Sequence, residues 1–566
     1  MENSSPPRHH RLAWLALATL GTLLLLPATR YLVRSQMQME ALTYSTETNL
    51  PAERAAAARM SDDYPVQLAL AAETPSPFAV MLGTDPMAQS KARNRRIAAL
   101  IPRFPNSPSV CANLLRYMML GEVRMQRTDG DPPPASAVPA IPYQPSLEAR
   151  EMFENAAQKG VQLDPDNAYF RMMQAIGLFN AHRDSEALDA LKAAGRCSHW
   201  AEYYQDEASG QNRLQVAVYG ERGAVQRVNN AANLLFPQYA SLRSEARLVR
   251  YLAGNAELAG NTEEALAVRH ALMRCGGLMR SQGNCYITTL VGIAITNIGT
   301  ASPGGIQNHA TLSSSHNTGE EAEQLRAKRL QSYYTYLESI GHPEEAVWAK
   351  TEIAAGEQAR AIGAEGLKNS VFNGRDFSHI GFSWLANIVL LSSALVLLAL
   401  GAAASLAGTM RPKRTLLAWR SAYALLVLGG IGLWQWNAAH VGMAPFVEIQ
   451  KMFSDMSGNR MDGQNDALGI QLLTFGLSVL VPVLFVGLIA AITLFQRVPL
   501  ATGLGRGLRG AAIPGAAMLF LVYGASLLPT VHAESVIKTE LVNTARNEPS
   551  YFAECIHKVW PGDPQP

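Results

Sequence analysis

Five separated apolar stretches constrain this chain more than any other feature, because each is long enough to cross a lipid bilayer as a helix. A hydrocarbon core about 30 Å thick requires about 20 apolar residues in helical conformation. One stretch lies near the N-terminus and four lie in the last third of the 566-residue chain. They predict a membrane bundle and one large water-exposed domain of residues 34–380, with spans at residues 12–33, 381–407, 415–436, 470–495 and 510–531.

The first stretch has the charge pattern of a targeting segment. A basic cluster at residues 8–11 precedes the apolar residues of 12–33. The residues that follow Leu26, Pro27-Ala28-Thr29-Arg30, lack a clear small-x-small cleavage pattern. This favours an uncleaved signal anchor, and a cleaved signal peptide is the alternative.

Lysine and arginine in short loops orient the predicted bundle, because positive charge is retained on the cytoplasmic side. Two short loops, between the second and third spans and between the fourth and fifth, are basic. Both are therefore predicted to be cytoplasmic, together with residues 1–11. The 34–380 domain, a loop at 437–469 and the tail at 532–566 then lie on the outer face. The basic residues of the two loops are Arg411, Lys413, Arg414, Arg497, Arg506 and Arg509.

Charge and cysteine content narrow the class of protein. A net charge of +2 over 566 residues argues against nucleic acid as a partner, since nucleic-acid-binding domains are strongly basic. All five cysteines fall on the predicted outer side, where an oxidising compartment permits disulfides. Cys275 and Cys285 are the candidate pair, and the alternative is that both are unpaired buried thiols.

The outer domain is predicted to be helical, so the whole chain is assigned to the all-α class. Apolar residues recur at three- and four-residue spacings across 146–194, without the alternation of a strand. A helix start is predicted at 163–167 and a turn at 182–184. Residues 129–145 contain six prolines, which cannot sustain a helix, and are predicted to form a stiff linker.

This segment resembles the tetratricopeptide-repeat family. The small and large residues by which that family packs two antiparallel helices are matched by Ala175, Leu178, Ala187, Leu191 and Ala194. Arg171 and His199 depart from the pattern, standing in place of a bulky aromatic residue and a closing proline. The resemblance covers about 88–365 and is strongest at 146–194. It implies a surface that binds a protein partner, for which Arg171 and Arg183 are the candidate contacts.

The predicted turn recurs along the chain. Its three copies are residues 182–187, 260–265 and 341–346, each ending in Glu-Ala. The alanines, Ala187, Ala265 and Ala346, lie about 80 positions apart, which is roughly two family repeats with insertions. A recurring helix-turn-helix unit predicts a stacked helical array, with a degenerate unit between each visible pair.

Motifs of catalysis, cofactor binding and metal binding are missing from the sequence, including the nucleophile elbow, His-Glu-x-x-His and the Walker loop. We therefore predict no catalytic, cofactor or metal residue. The chain is interpreted as a non-enzymatic bacterial inner-membrane scaffold that docks partner proteins at the outer face. Two alternatives are a transport or channel subunit, and an envelope enzyme with a site assembled in space from Glu202, Asp206 and His199.

Overall fold

The computed structural model describes residues 50–72, 86–125, 145–219, 236–300, 319–368, 375–406 and 480–553, with isolated positions at 18, 21, 22 and 25. All secondary-structure elements among these residues are helices. The described residues contain no strand, only one isolated β-bridge between Asn167 and His199. The predicted all-α class is confirmed for this part of the chain. The span at 415–436 and the outer loop at 437–469 lie outside it, as do the predicted linker at 129–145 apart from Pro145 and nearly all of the span at 12–33.

Sixteen helices follow one another along the described chain. In order, α1 to α8 are Leu50–Arg59, Tyr64–Ala72, Pro86–Ala98, Pro108–Met118, Leu147–Leu163, Ala168–Asn180, Asp184–Ala194 and Tyr204–Tyr219. They continue as α9 to α16: Gln238–Leu258, Thr262–Gln282, Tyr286–Gly299, Gly319–Ser339, Pro343–Lys368, Arg375–Leu406, Leu480–Phe495 and Leu500–Ala553.

The helices divide between two compact units. Apart from the ends of α8 and α16, the larger unit contains α1 to α13, and the smaller contains α14 to α16. The division near Asn369 lies close to the boundary at residue 380 expected from the apolar stretches.

Three helical hairpins in the larger unit share one turn geometry. Hairpin 1 is α6/α7, hairpin 2 is α9/α10 and hairpin 3 is α12/α13. Each turn places one residue in the left-handed region, with φ of 57° at His182, 85° at Gly260 and 87° at Gly341. The next amide then donates to a carbonyl five residues back, closing the first helix in the manner of a Schellman motif. These bonds are Arg183 N to Leu178 O (2.9 Å), Asn261 N to Ala256 O (2.8 Å) and His342 N to Leu337 O (3.0 Å).

The hairpins stack on one another through equivalent helices. First helix packs on first helix between α6 and α9, and second helix packs on second helix from α7 to α10 and from α10 to α13. The alanines that end the recurring turns are buried at these second helices. Between successive hairpins the described chain contains one further helix, α8 or α11, which accounts for much of the 80-residue spacing.

Helices α10 and α11 approach until their backbones touch. A Cβ added to Gly292 would lie 2.5 Å from the carbonyl oxygen of Gly276 and 2.6 Å from the amide nitrogen of Arg280. Such distances leave no room for any side chain, so glycine is required at this crossing.

The smaller unit differs from the prediction in where its helices begin and end. The predicted cytoplasmic loop before the last span is mostly helix, because α16 begins at Leu500 after a short turn and continues without interruption to Ala553. Arg506 and Arg509 therefore lie on α16, and the predicted tail is helical as far as the chain is described. Glycines allow α15 and α16 to pack closely: a Cβ on Gly507 would lie 2.4 Å from Ile489.

One described helix is long and apolar enough to cross a membrane, namely the Leu500–Leu528 part of α16, with mean hydropathy 1.8. Two shorter apolar segments of this unit, Ala386–Gly401 and Leu480–Phe495, coincide with predicted spans. Large apolar side chains of these helices are exposed, including Val483, Leu484, Leu494, Phe495, Leu521 and Leu528.

Candidate functional site

The larger unit contains a buried acid, Glu202, held in a network of hydrogen bonds. Its side chain accepts from Trp200 Nε1 at 3.1 Å and from the Tyr239 hydroxyl at 2.8 Å. Tyr239 also bonds to Thr288, whose hydroxyl lies 3.2 Å from the sulfur of Cys285. The network thus links the α7–α8 loop to α9 and α11.

The loop that carries Glu202 is fixed by one side chain. The Asn167 side-chain oxygen accepts from the Tyr169 amide at 3.0 Å, which caps α6, and from the Ala201 amide at 3.0 Å. Its amide nitrogen donates to the Ala201 carbonyl at 2.9 Å. Because Asn167 satisfies both the helix start and the loop backbone, the position of Glu202 is set by α6.

Burial dominates the electrostatics of Glu202. Desolvation disfavours the carboxylate and raises the pKa of Glu202 to about 7, against the opposing effects of the Tyr239 and Trp200 hydrogen bonds and the positive charge of Arg116. Burial and the neighbouring Glu202 also raise the pKa of Tyr239, which remains a donor. Glu202 can therefore gain or lose a proton near neutral pH while its two donors stay in place.

A buried ion pair lies in the same region. Arg116 of α4 pairs with Glu207 of α8, and each side chain is only 1% exposed. Tyr117 donates to Glu207 at 2.5 Å, and Arg116 donates to Asn113 at 2.7 Å. Two further buried pairs join helices of the array: Arg269 to Glu257 at 2.6 Å and Arg280 to Glu352 at 2.8 Å.

The acidic and histidine residues considered for an assembled active site have separate partners. His199 lies 3.1 Å from Asp164, and Asp206 accepts from Tyr64. Glu202 is bonded to Trp200 and Tyr239. The contacts of these three residues do not join them into one constellation.

The residues assigned to repeat packing and partner contact fall in different environments. Arg171 is half-buried next to the Cys197 thiol and offsets the rise in that thiol's pKa caused by burial. Arg183 is exposed and bonds to Glu186 at 2.8 Å. All five packing residues are buried in the main hydrophobic core: Ala175, Leu178, Ala187, Leu191 and Ala194.

Cys275 and Cys285 do not form the predicted disulfide. Cys275 is fully buried on α10, two turns before the helix ends, whereas Cys285 is the N-cap of α11 and places its sulfur beside Thr288. Both are free thiols, as are Cys111 and Cys197. Among the described residues, no group of three or more His, Cys, Asp or Glu side chains is placed to hold a metal ion.

Tyr239, Thr288, Arg116 and Glu207 were not predicted as members of a polar network. Tyr239 and Glu202 are hydrogen-bonded but lie 37 positions apart in the sequence, and Arg116 and Glu207 lie 91 positions apart. Such pairs leave no spacing signal in a single sequence, and Glu202 was named from the sequence only as one member of a possible assembled active site.

The Glu202→Gln variant should remove a pH dependence of stability. Because the folded-state pKa of Glu202 lies above its ordinary value of 4.5, its proton stabilises the fold at low pH. That stability is lost as pH rises from 4.5 to 7, by roughly 3 kcal/mol in all. Denaturant unfolding of the full chain in detergent at pH 5 and pH 8 should show a larger loss in wild type than in Glu202→Gln, in which the other titrating groups remain.

The exposed carboxyl of Glu148 provides the control. Its side chain is 61% exposed, so Glu148→Gln should retain the wild-type difference between pH 5 and pH 8. An unchanged pH difference in Glu202→Gln would contradict the assignment.

Comparisons with known proteins found no protein similar to this chain. No protein-family model matches the chain, and the searches of curated proteins and of solved structures gave no match.

Proposed function

We propose that this protein is a membrane-anchored scaffold whose helical array binds partner proteins at the outer face of a bacterial inner membrane. The observation that supports it is the stacking of three hairpins with one turn geometry. Arrays of this kind expose an extended surface built from equivalent positions of successive units, and such surfaces commonly bind other proteins. The tetratricopeptide-like character of the array is part of the same proposal.

The membrane anchor in this proposal has five spans, with the N-terminus inside and the array outside. The candidate span Leu500–Leu528 and the exposed apolar side chains of α15 and α16 support it, since a bilayer is the solvent that accommodates such surfaces. The basic residues at 411–414 support a cytoplasmic loop there.

Cysteine labelling tests this topology. In intact cells that express the chain with its five native cysteines replaced by alanine, a membrane-impermeant maleimide should label Lys451→Cys in the proposed outer loop and should not label Lys413→Cys until the membrane is permeabilised. Labelling of Lys413→Cys in intact cells would overturn the proposed orientation.

Photocrosslinking tests the docking role. Asp189, Ala267 and Val347 are exposed positions on α7, α10 and α13. A photoreactive amino acid at each should capture the same membrane or envelope protein in a fixed ratio. The exposed Lys91 of α3 is the control position and should not capture it. Purification as a clean monomer or homo-oligomer, with no crosslink at the three positions, would overturn the proposal in favour of a transport or enzymatic role.

A further inference from the structure

The second helices of the three hairpins are joined by a contact that repeats at one position. Lys192 of α7 donates to Glu264 of α10 at 2.7 Å, and His270 of α10 lies 3.0 Å from Glu345 of α13. Lys192 and His270 both lie five residues after the buried alanine of their turn, and each glutamate lies one residue before it. The two contacts are therefore equivalent, and they differ in having lysine at one joint and histidine at the other.

A second histidine reinforces the joint between hairpins 2 and 3. His342, at the start of α13, has Nε2 3.1 Å from Glu263 of α10 and Nδ1 3.4 Å from Glu344. A neutral imidazole carries one N–H and can donate to one carboxylate, whereas an imidazolium donates to both. The geometry around His342 therefore suits the protonated ring.

The ring of His270 also makes a stacking contact. It stacks on the indole of Trp348 with centroids 4.1 Å apart. Trp348 belongs to α13 and is 3% exposed, so the stacked pair forms part of the packed surface between the hairpins. Glu345 and Trp348 together fix the ring of His270 between α10 and α13.

We propose that the joint between hairpins 2 and 3 is a pH-sensitive joint, tightened by protonation of His342 between Glu263 and Glu344, while the joint between hairpins 1 and 2, which has Lys192 at the equivalent contact, is not. This rests on the proposed scaffold function, because it regulates the shape of the array that would bind a partner. The two carboxylate neighbours raise the pKa of His342. Its stabilising contribution is therefore complete below pH 6.5 and is lost as pH rises through the folded-state pKa.

The charged groups that contact the two histidines are carboxylates. Glu263 of α10 and Glu344 of α13 face His342, and Glu345 of α13 faces His270. Lysine, arginine and glutamate side chains ordinarily keep their charge between mildly acidic and mildly alkaline pH, and histidine does not. Helices α10 and α13 are also joined by the buried pair Arg280–Glu352, while Arg269 pairs with Glu257 of α9 and Lys350 lies 3.5 Å from Glu338 of α12.

Hydrogen exchange of the full chain in detergent tests the proposal, with Glu202→Gln as the background so that the Glu202 carboxyl does not contribute. After correction for chemical exchange rates, amides of α13 should exchange about 2- to 5-fold faster at pH 8 than at pH 5.5, and amides of α7 should not change. In the same background, His342→Lys should be slow at both pH values and His342→Gln should be fast at both.

The joint between hairpins 1 and 2 provides the internal comparison, because lysine stands at its contact. Equal exchange of α13 at both pH values with His342 intact, or a pH difference that persists in His342→Lys, would overturn the proposal. Because no partner is needed for this measurement, its outcome is separate from the crosslinking test of the scaffold role.

Discussion

Arg116→Met is expected to destabilise the larger unit by about 3–5 kcal/mol. The substitution leaves the buried Glu207 carboxylate without its counter-charge, although methionine fills much of the same volume. Uncompensated burial of a charge costs more than the ion pair itself contributes. The denaturant midpoint of the full chain in detergent should fall accordingly.

The exposed ion pair of Arg95 and Glu148 is the matched control. These side chains are 62% and 61% exposed, and water screens their interaction. Arg95→Met should therefore cost less than about 1 kcal/mol. Equal effects of Arg95→Met and Arg116→Met would show that the Arg116–Glu207 pair is not buried as described.

Gly292→Ala is expected to cost about 3 kcal/mol, near the upper end for overpacking. The added methyl group would meet the carbonyl oxygen of Gly276 and the amide of Arg280, which are backbone atoms and cannot rotate away. Helices α10 and α11 would have to separate. A lower unfolding midpoint with faster hydrogen exchange in both helices is the expected result.

Gly356→Ala on α13 separates this clash from the ordinary effect of removing glycine. A Cβ there would lie 3.5 Å from Ile293, a normal contact distance. Alanine also favours the helix, so Gly356→Ala should be neutral or stabilising by up to about 1 kcal/mol. If Gly292→Ala lowers stability no more than Gly356→Ala does, the backbone clash at Gly292 is not the cause of the effect.

Local features of the fold were predictable from the sequence because their causes are local. Asn167 follows the proline of a predicted helix start, and it caps α6 as such residues do. The turn at His182 has the same form as the two turns that contain Gly260 and Gly341, and the Glu-Ala that ends each turn is the feature that recurs in the sequence. Apolar periodicity likewise predicted the buried positions of α6 and α7.

Long-range features were not predictable for a physical reason. Whether Arg116 is exposed or buried depends on a carboxylate 91 positions away, and no periodicity connects the two. The same holds for the contact between Gly276 and Gly292, which depends on how closely two helices cross. Glu202 could be suspected from its surroundings, but its partner Tyr239 could not.

The start of the last helix was predicted incorrectly for a different reason. Apolar content and the basic residues before 510 predicted a loop followed by a span. Glycine and arginine nevertheless continue the helix, because the glycines Gly503 and Gly507 allow α16 to pack against α15. At 1.5 Å per residue, the 54 residues of α16 extend about 80 Å, well beyond a bilayer core of about 30 Å.

The stacking of adjacent hairpins bears on how the chain is made. Helix α7 contacts α10, and α10 contacts α13, so each joint needs only the hairpin that was synthesised just before it. A growing chain can therefore add hairpin 2 to a finished hairpin 1, and hairpin 3 to hairpin 2, without waiting for its C-terminus. The array is suited to vectorial folding as it emerges from the ribosome or the translocon.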